Sequence, residues 1–80
     1  MSTADLLFLG RELDAHGFDG REIAVRAVIR DARSHGVAPV AASVLADLGA
    51  PEVARLRAFG IVSVELAKLA RRDHPSTRVA

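Results

Sequence analysis

Residues 59–72 read FGIVSVELAKLARR, a bend centred on a glycine and then a helical run that ends in two arginines. Its hydrophobic residues recur at the spacing of an α-helix, at Phe59, Val62, Leu66 and Leu69. A glycine inside a helix costs about 1 kcal/mol relative to alanine, and β-branched or small residues follow this one, so we predict a break at Gly60. The stretch is then either a DNA-reading helix that follows a turn or a helix of the hydrophobic core.

The rest of the chain shows the same helical spacing, and no segment alternates hydrophobic and polar residues over the length of a strand. We predict an all-α fold, a compact bundle of four to five short helices without a sheet. The predicted helices cover residues 4–15, 20–35, 39–48, 51–59 and 62–73.

Glycines and prolines set most of these boundaries. Gly17, Gly36 and Gly49 follow the ends of the first three helices, and Pro39 and Pro51 occupy first helical positions, which suit proline. We predict a single helical domain over residues 1–74. Residues 75–80, PSTRVA, lack periodicity and are expected to form a flexible tail.

Composition points to a small protein with more apolar groups than its core can cover. Half of the 80 residues are hydrophobic and the mean hydropathy is +0.21, whereas a domain of this size buries only about 60% of its unfolded surface. A protein partner or a second copy is therefore expected to cover the rest. There is no cysteine, no membrane-spanning run and no basic leader, so a cytoplasmic protein is expected. The alanine, arginine and valine content indicates a GC-rich genome, as in bacteria or phages.

Residues that could carry catalysis or bind a metal have the wrong spacing. No two of His16, His35 and His74 lie one helical turn apart, and the serines form no Gly-x-Ser-x-Gly turn. The six glycines are scattered and make no phosphate-binding loop. We therefore predict a protein that is not an enzyme and has no metal, cofactor or small-molecule substrate.

Hydrophobic residues outside the main helical stripes are the candidates for partner binding. Leu6, Leu9 and Leu13 share one face of the first helix, but other hydrophobic residues of the first and last helices point elsewhere. With Phe18 of the first loop, the predicted anchors are Leu7, Phe8, Phe18, Ile61 and Val64. The leading hypothesis is a protein-interaction module that self-associates, with an interface between identical subunits.

The alternative is a small helix-turn-helix regulator that binds DNA. The net charge is only +1, but residues 51–80 carry six basic and three acidic residues, whereas residues 1–50 carry five and seven. Phe59, Gly60 and Ile61 fit such a turn, although the next helix begins with Ser63 and Glu65 rather than with base-reading side chains. The predicted phosphate contacts are Arg55, Arg57, Lys68, Arg71 and Arg72.

A further similarity concerns residues 13–45, less than half of the chain. The run LDAHGFDGREIAVRAVI, residues 13–29, resembles the first loop and second helix of ubiquitin-associated-like three-helix modules, with a Gly-Phe pair and Ala27-Val28 about ten residues later. Val40, Val44 and Leu45 would belong to the third helix. In that family the Gly-Phe loop contacts a protein partner, so the resemblance implies contacts by Gly17 and Phe18.

Overall fold

The computed structural model describes residues 2–72, except for the side chain of Arg72. It contains four helices and, within this range, no strand: α1 (Thr3–His16), α2 (Glu22–His35), α3 (Pro39–Ala46) and α4 (Glu52–Arg72). The predicted all-helical bundle is confirmed. The predicted tail, His74 and the last predicted helical residue, Asp73, lie outside the described residues.

Local sequence explains the ends of the first two helices. Ser2 caps α1 in a reciprocal pair with Asp5, since each side chain accepts a hydrogen bond from the other residue's backbone N–H. Gly36 ends α2 in the left-handed conformation, with φ of 67°, and its N–H donates to the carbonyls of Ala32 and Arg33. The predicted stops at Gly17 and Gly36 are confirmed.

The predicted break at Gly60 is wrong, because α4 is one helix of 21 residues that passes through it. Gly60 is exposed on the outer side of α4, while Phe59, Val62 and Leu66 are buried on the inner side. Packing of a continuous buried face stabilises an unbroken helix, and such packing supplies most of the stability of helices in proteins. That gain outweighs the cost of one exposed glycine, so residues 2–72 form four helices and not five.

The core lies where α4 packs against α1 and α3, with α2 covering α3 and α4. Its largest fully buried side chains are Leu13, Val25, Val28, Leu45 and Val62. Gly10 of α1 allows a close approach, since a Cβ there would lie 3.3 Å from the Phe59 ring. Across residues 2–72, none of the helices is both long enough and apolar enough to cross a bilayer.

Candidate interaction surfaces

Arg55 of α4 is a buried charged residue that joins three helices. The residue is only 6% exposed, and its two terminal nitrogens donate to the two carboxylate oxygens of Glu22 in α2, each at 3.0 Å. Its Nε donates to the carbonyl oxygen of Leu45 in α3, also at 3.0 Å. Because all three donor positions are occupied within the chain, this side chain is not available to a phosphate. The predicted DNA contact at Arg55 is therefore replaced by a structural one.

Phe18 lies directly under the same guanidinium group. The ring centroid is 4.2 Å from Cζ of Arg55, which is within the range of a cation–π contact, and Phe18 is 5% exposed. The loop after α1 thus closes onto the core through Phe18 instead of presenting it to a partner. The contact implied for Phe18 by the family resemblance is not available on this surface, and Phe18 must be removed from the predicted anchors for the same reason.

The guanidinium group also changes the titration of its partner. The hydrogen bonds from Arg55 hold the pKa of Glu22 below its ordinary value of 4.5; partial burial opposes the shift, and the charges of Arg55 and Arg26 reinforce it. Glu22 is 37% exposed, so water screens part of this interaction. Sequence reasoning missed the Arg55–Glu22 pair because the two residues are 33 positions apart.

Leu7, Phe8 and Ile23 are exposed apolar residues, and the surface formed by Phe8 and Ile23 is here called the α1 patch. These side chains are 61%, 65% and 78% exposed. Phe8 and Ile23 line a groove of about 480 Å³ between α1 and the start of α2, together with Asp5 and Glu12. Leu7 and Phe8 were among the predicted anchors, and the structure leaves both of them uncovered by the rest of residues 2–72.

The second exposed apolar surface, the α3–α4 groove, lies between those two helices. Its volume is about 450 Å³, and its lining is apolar apart from Arg57. Val40 on one wall is 77% exposed and Ile61 on the other is 50% exposed. Val64, one turn further along α4, is 53% exposed. The predicted anchors Ile61 and Val64 therefore lie on one side of α4, away from the core.

Backbone strain lies at the edge of this groove. Ala38, which lines it and precedes Pro39, has φ of 44° and ψ of 54°, the left-handed conformation that residues with a Cβ adopt at a cost. It is the N-cap of α3 and makes no side-chain cap hydrogen bond. In the described part of the chain, Ala38 is the one residue other than glycine that has a positive φ, and it lies in the lining of this groove.

Three of the other predicted phosphate contacts lie on the surface of α4. Arg57, Lys68 and Arg71 are exposed on α4, and Lys68 has an ion pair of 3.5 Å with Glu65. Their positions, 57, 68 and 71, fall on one side of an α-helix at 100° per residue, together with Ile61 and Val64. The side chain of Arg72 is outside the description. The turn expected at Gly60 for a helix-turn-helix unit is absent, since α4 is continuous there.

A third surface, the arginine groove, was not predicted as a site. It has a volume of about 790 Å³ and lies between α2 and the turn after α3. Arg26, Arg30 and Arg33 line it from α2, and all three are exposed and form no ion pair within residues 2–72. Ile29 lies on its floor, and Leu48, which is 75% exposed, lines it from the other side. The stripe of arginines is visible in the sequence, but the facing wall depends on the tertiary fold.

Within residues 2–72, no three His, Asp or Glu side chains are close enough together to hold a metal ion. His16 and His35 occupy the last positions of α1 and α2, where an imidazole is favourable next to the helix C-terminus.

Comparisons with protein-family models, curated proteins and solved structures give no match for this chain.

Proposed function

We propose that this protein is a small interaction module that self-associates through its exposed apolar helix faces and has no enzymatic role. One observation carries the proposal: large hydrophobic side chains on α1 and α4 remain at least half exposed after the core has formed. Phe8 and Ile61 are the centres of the two surfaces, the α1 patch and the α3–α4 groove.

Exposed apolar surfaces favour association because their removal from water lowers the free energy. Each buried Leu, Ile or Phe side chain gains about 1.5–3 kcal/mol relative to an exposed one, so a contact that covers these surfaces is strongly favoured. A few apolar anchors at the centre of an interface carry most of its affinity. A second copy is the simplest partner, because a twofold contact uses the same surface of each chain twice.

Sedimentation velocity over a concentration series tests the proposal directly. The wild-type chain is expected to form dimers or larger species at micromolar to millimolar concentration. Phe8→Ser and Ile61→Ser should each shift the equilibrium towards the monomer by at least about tenfold, since each removes about 2 kcal/mol of apolar burial. The matched control is Asp19→Ser, an exposed position of the loop after α1 that forms no ion pair among the described residues and lines neither surface.

Two results would contradict the proposal. A wild-type chain that stays monomeric at millimolar concentration would remove self-association. Association that is unchanged in both Phe8→Ser and Ile61→Ser would mean that other surfaces carry the contact. Circular dichroism of each variant checks that the helices are retained, so that loss of association is not confused with loss of fold.

A second candidate function is sequence-independent binding to DNA phosphates. It is supported by the shared exposed side of α4 that carries Arg57, Lys68 and Arg71. Binding of this kind weakens steeply with salt, because it depends on the release of counterions. Electrophoretic shift of a random duplex over a salt series tests it, with Arg57→Gln/Arg71→Gln as the variant. The absence of a shift at low salt would exclude it.

A further inference from the structure

We propose that the arginine groove of one chain receives helix α1 of a second copy. This inference rests on the proposed self-association and names the surface that receives the α1 patch; the α3–α4 groove is not part of this contact. The α1 patch would contact Leu48 and Ile29 of the other copy. The carboxylates on either side of Phe8 would contact the arginines of α2.

Charge complementarity is the first argument. Helix α1 carries three carboxylates, Asp5, Glu12 and Asp14, against one arginine, Arg11. The arginine groove is lined by four guanidinium groups and one carboxylate, and that carboxylate, Glu22, is already paired with Arg55. Arg26 interacts electrostatically with Glu22, but none of the three exposed arginines forms an ion pair within residues 2–72, and α1 is the most acidic of the four described helices that a second copy offers. Oppositely charged surfaces of this kind also accelerate and orient association.

Matching spacing is the second argument. Asp5 and Glu12 are seven residues apart with Phe8 between them, and Arg26 and Arg33 are seven residues apart with Ile29 between them. At 1.5 Å per residue, both pairs span about 10.5 Å along their helix axes. Because the two spacings are equal, both carboxylates can face both arginines whether the two helices run parallel or antiparallel. Each contact would therefore place two carboxylates on two arginines and an aromatic ring over an apolar floor.

The carboxylates retain the capacity for this contact. Glu12 accepts one hydrogen bond from Arg21 at 2.9 Å, and Asp5 accepts one from the N–H of Ser2 at 3.3 Å. A carboxylate has about four acceptor sites, so both side chains can accept further donors. Arginine is the suitable counterpart, since its planar group donates to a carboxylate through two parallel hydrogen bonds.

The apolar wall favours a protein occupant over a nucleic acid. Leu48 is 75% exposed and faces the groove opposite the arginines, and a phosphate backbone would leave it without an apolar contact. The exposed side of α4 is the other basic surface of the described chain. It lies on the convex outside of a single helix, whereas the arginine groove is bounded on two sides and can hold a helix.

Charge reversal with complementation tests the inference. One variant carries Asp5→Lys/Glu12→Lys, and the other carries Arg26→Glu/Arg33→Glu. Each variant alone brings like charges together and should lose self-affinity by at least about tenfold in sedimentation equilibrium. An equimolar mixture should associate again, because the reversed α1 of one chain fits the reversed groove of the other, and the second contact joins a wild-type α1 to a wild-type groove. The matched control is Asp19→Lys/Glu52→Lys, which reverses as many charges at two exposed positions outside the three surfaces and should keep wild-type association.

The outcomes separate this inference from the proposed function. If the wild type is monomeric, self-association itself fails. If the wild type associates and both reversed variants associate equally well, the proposed function holds and the pairing of α1 with the arginine groove is overturned. Weakening without recovery in the mixture also overturns it, as does loss of association in the Asp19→Lys/Glu52→Lys control alone. If Arg26→Glu/Arg33→Glu retains self-association but loses salt-sensitive binding to a short random DNA duplex, the groove binds phosphate and not a second copy.

Discussion

The two terminal nitrogens of Arg55 each donate to a separate oxygen of Glu22 at 3.0 Å, across 33 residues of sequence. This forked contact ties α4 to α2, and a bidentate pair of this kind constrains the orientation of the two side chains. The third bond, to the carbonyl oxygen of Leu45, adds the C-terminal part of α3. One side chain thus links three helices beside the arginine groove.

Removing this side chain should destabilise the fold substantially. Arg55→Ala is expected to lower the free energy of unfolding by about 2–4 kcal/mol, since it leaves the Leu45 carbonyl without its donor and Glu22 without its counterion. Arg55→Lys retains the charge but not the fork, and should recover only part of the loss. Urea denaturation followed by circular dichroism measures both changes.

Arg57→Ala is the matched control, because Arg57 is exposed two residues further along the same helix. Its effect should stay within about 0.5 kcal/mol of the wild type. Equal effects of the two alanine substitutions would show that the buried pair has no special weight.

The same pair makes a prediction about pH. The pKa of Glu22 is lowered by its hydrogen bonds from Arg55, so the carboxylate is more stable in the folded chain than in the unfolded one. The stabilisation is complete above the ordinary pKa of 4.5 and is lost as the pH falls through the lowered value. Glu22→Gln should therefore be less stable than the wild type at neutral pH, and the difference should shrink below about pH 4. Denaturation of both proteins across this range measures it; a constant difference would contradict the prediction.

Much of the fold was predictable from local signals. The ends of α1 and α2 follow from Gly17 and Gly36, and the inward face of α1 follows from the spacing of Leu6, Leu9 and Leu13, all of which are buried. The continuity of α4 was not predictable in this way. Whether the helix continues through Gly60 depends on how well its inner face packs against α1 and α3, and the sequence of residues 59–72 alone does not contain that information.

Some residues of the candidate surfaces were predictable from local sequence, and others depended on the tertiary fold. Leu7, Phe8, Ile61 and Val64 are exposed because each lies off a helical stripe, which is a property of local sequence. Phe18 and Arg55 were assigned to the surface, yet each lies buried against the other. A loop phenylalanine and a helix arginine become core residues only when the tertiary fold brings them within 4.2 Å. The arginine groove was missed for a related reason, since its second wall is the turn after α3.

Gly60 offers a test of helix continuity. A Cβ at this position would meet no atom within 4 Å, and the residue is exposed in the middle of α4. Gly60→Ala should therefore stabilise the fold by about 0.5–1 kcal/mol, because alanine loses less backbone entropy in a helix. The measurement is thermal and urea denaturation at low protein concentration, which keeps self-association out of the comparison.

Gly36→Ala is the control with the opposite expected sign. Gly36 has φ of 67°, so alanine would be strained there and should destabilise the fold by about 1 kcal/mol. If Gly60→Ala destabilises the chain as Gly36→Ala does, then α4 is broken at Gly60 in solution.

Ala38 should respond to substitution in the opposite way to a helical alanine. It adopts the left-handed conformation, with φ of 44°, at the N-cap of α3, a position where glycine is preferred over alanine. Ala38→Gly is thus expected to raise the free energy of unfolding by about 0.5–1 kcal/mol, since the Cβ strain outweighs the added flexibility of the unfolded chain. Ala27→Gly, at an exposed position within α2, should lower it by about 1 kcal/mol. Urea denaturation of the two variants measures the sign directly, and a loss of stability in both would mean that Ala38 carries no strain.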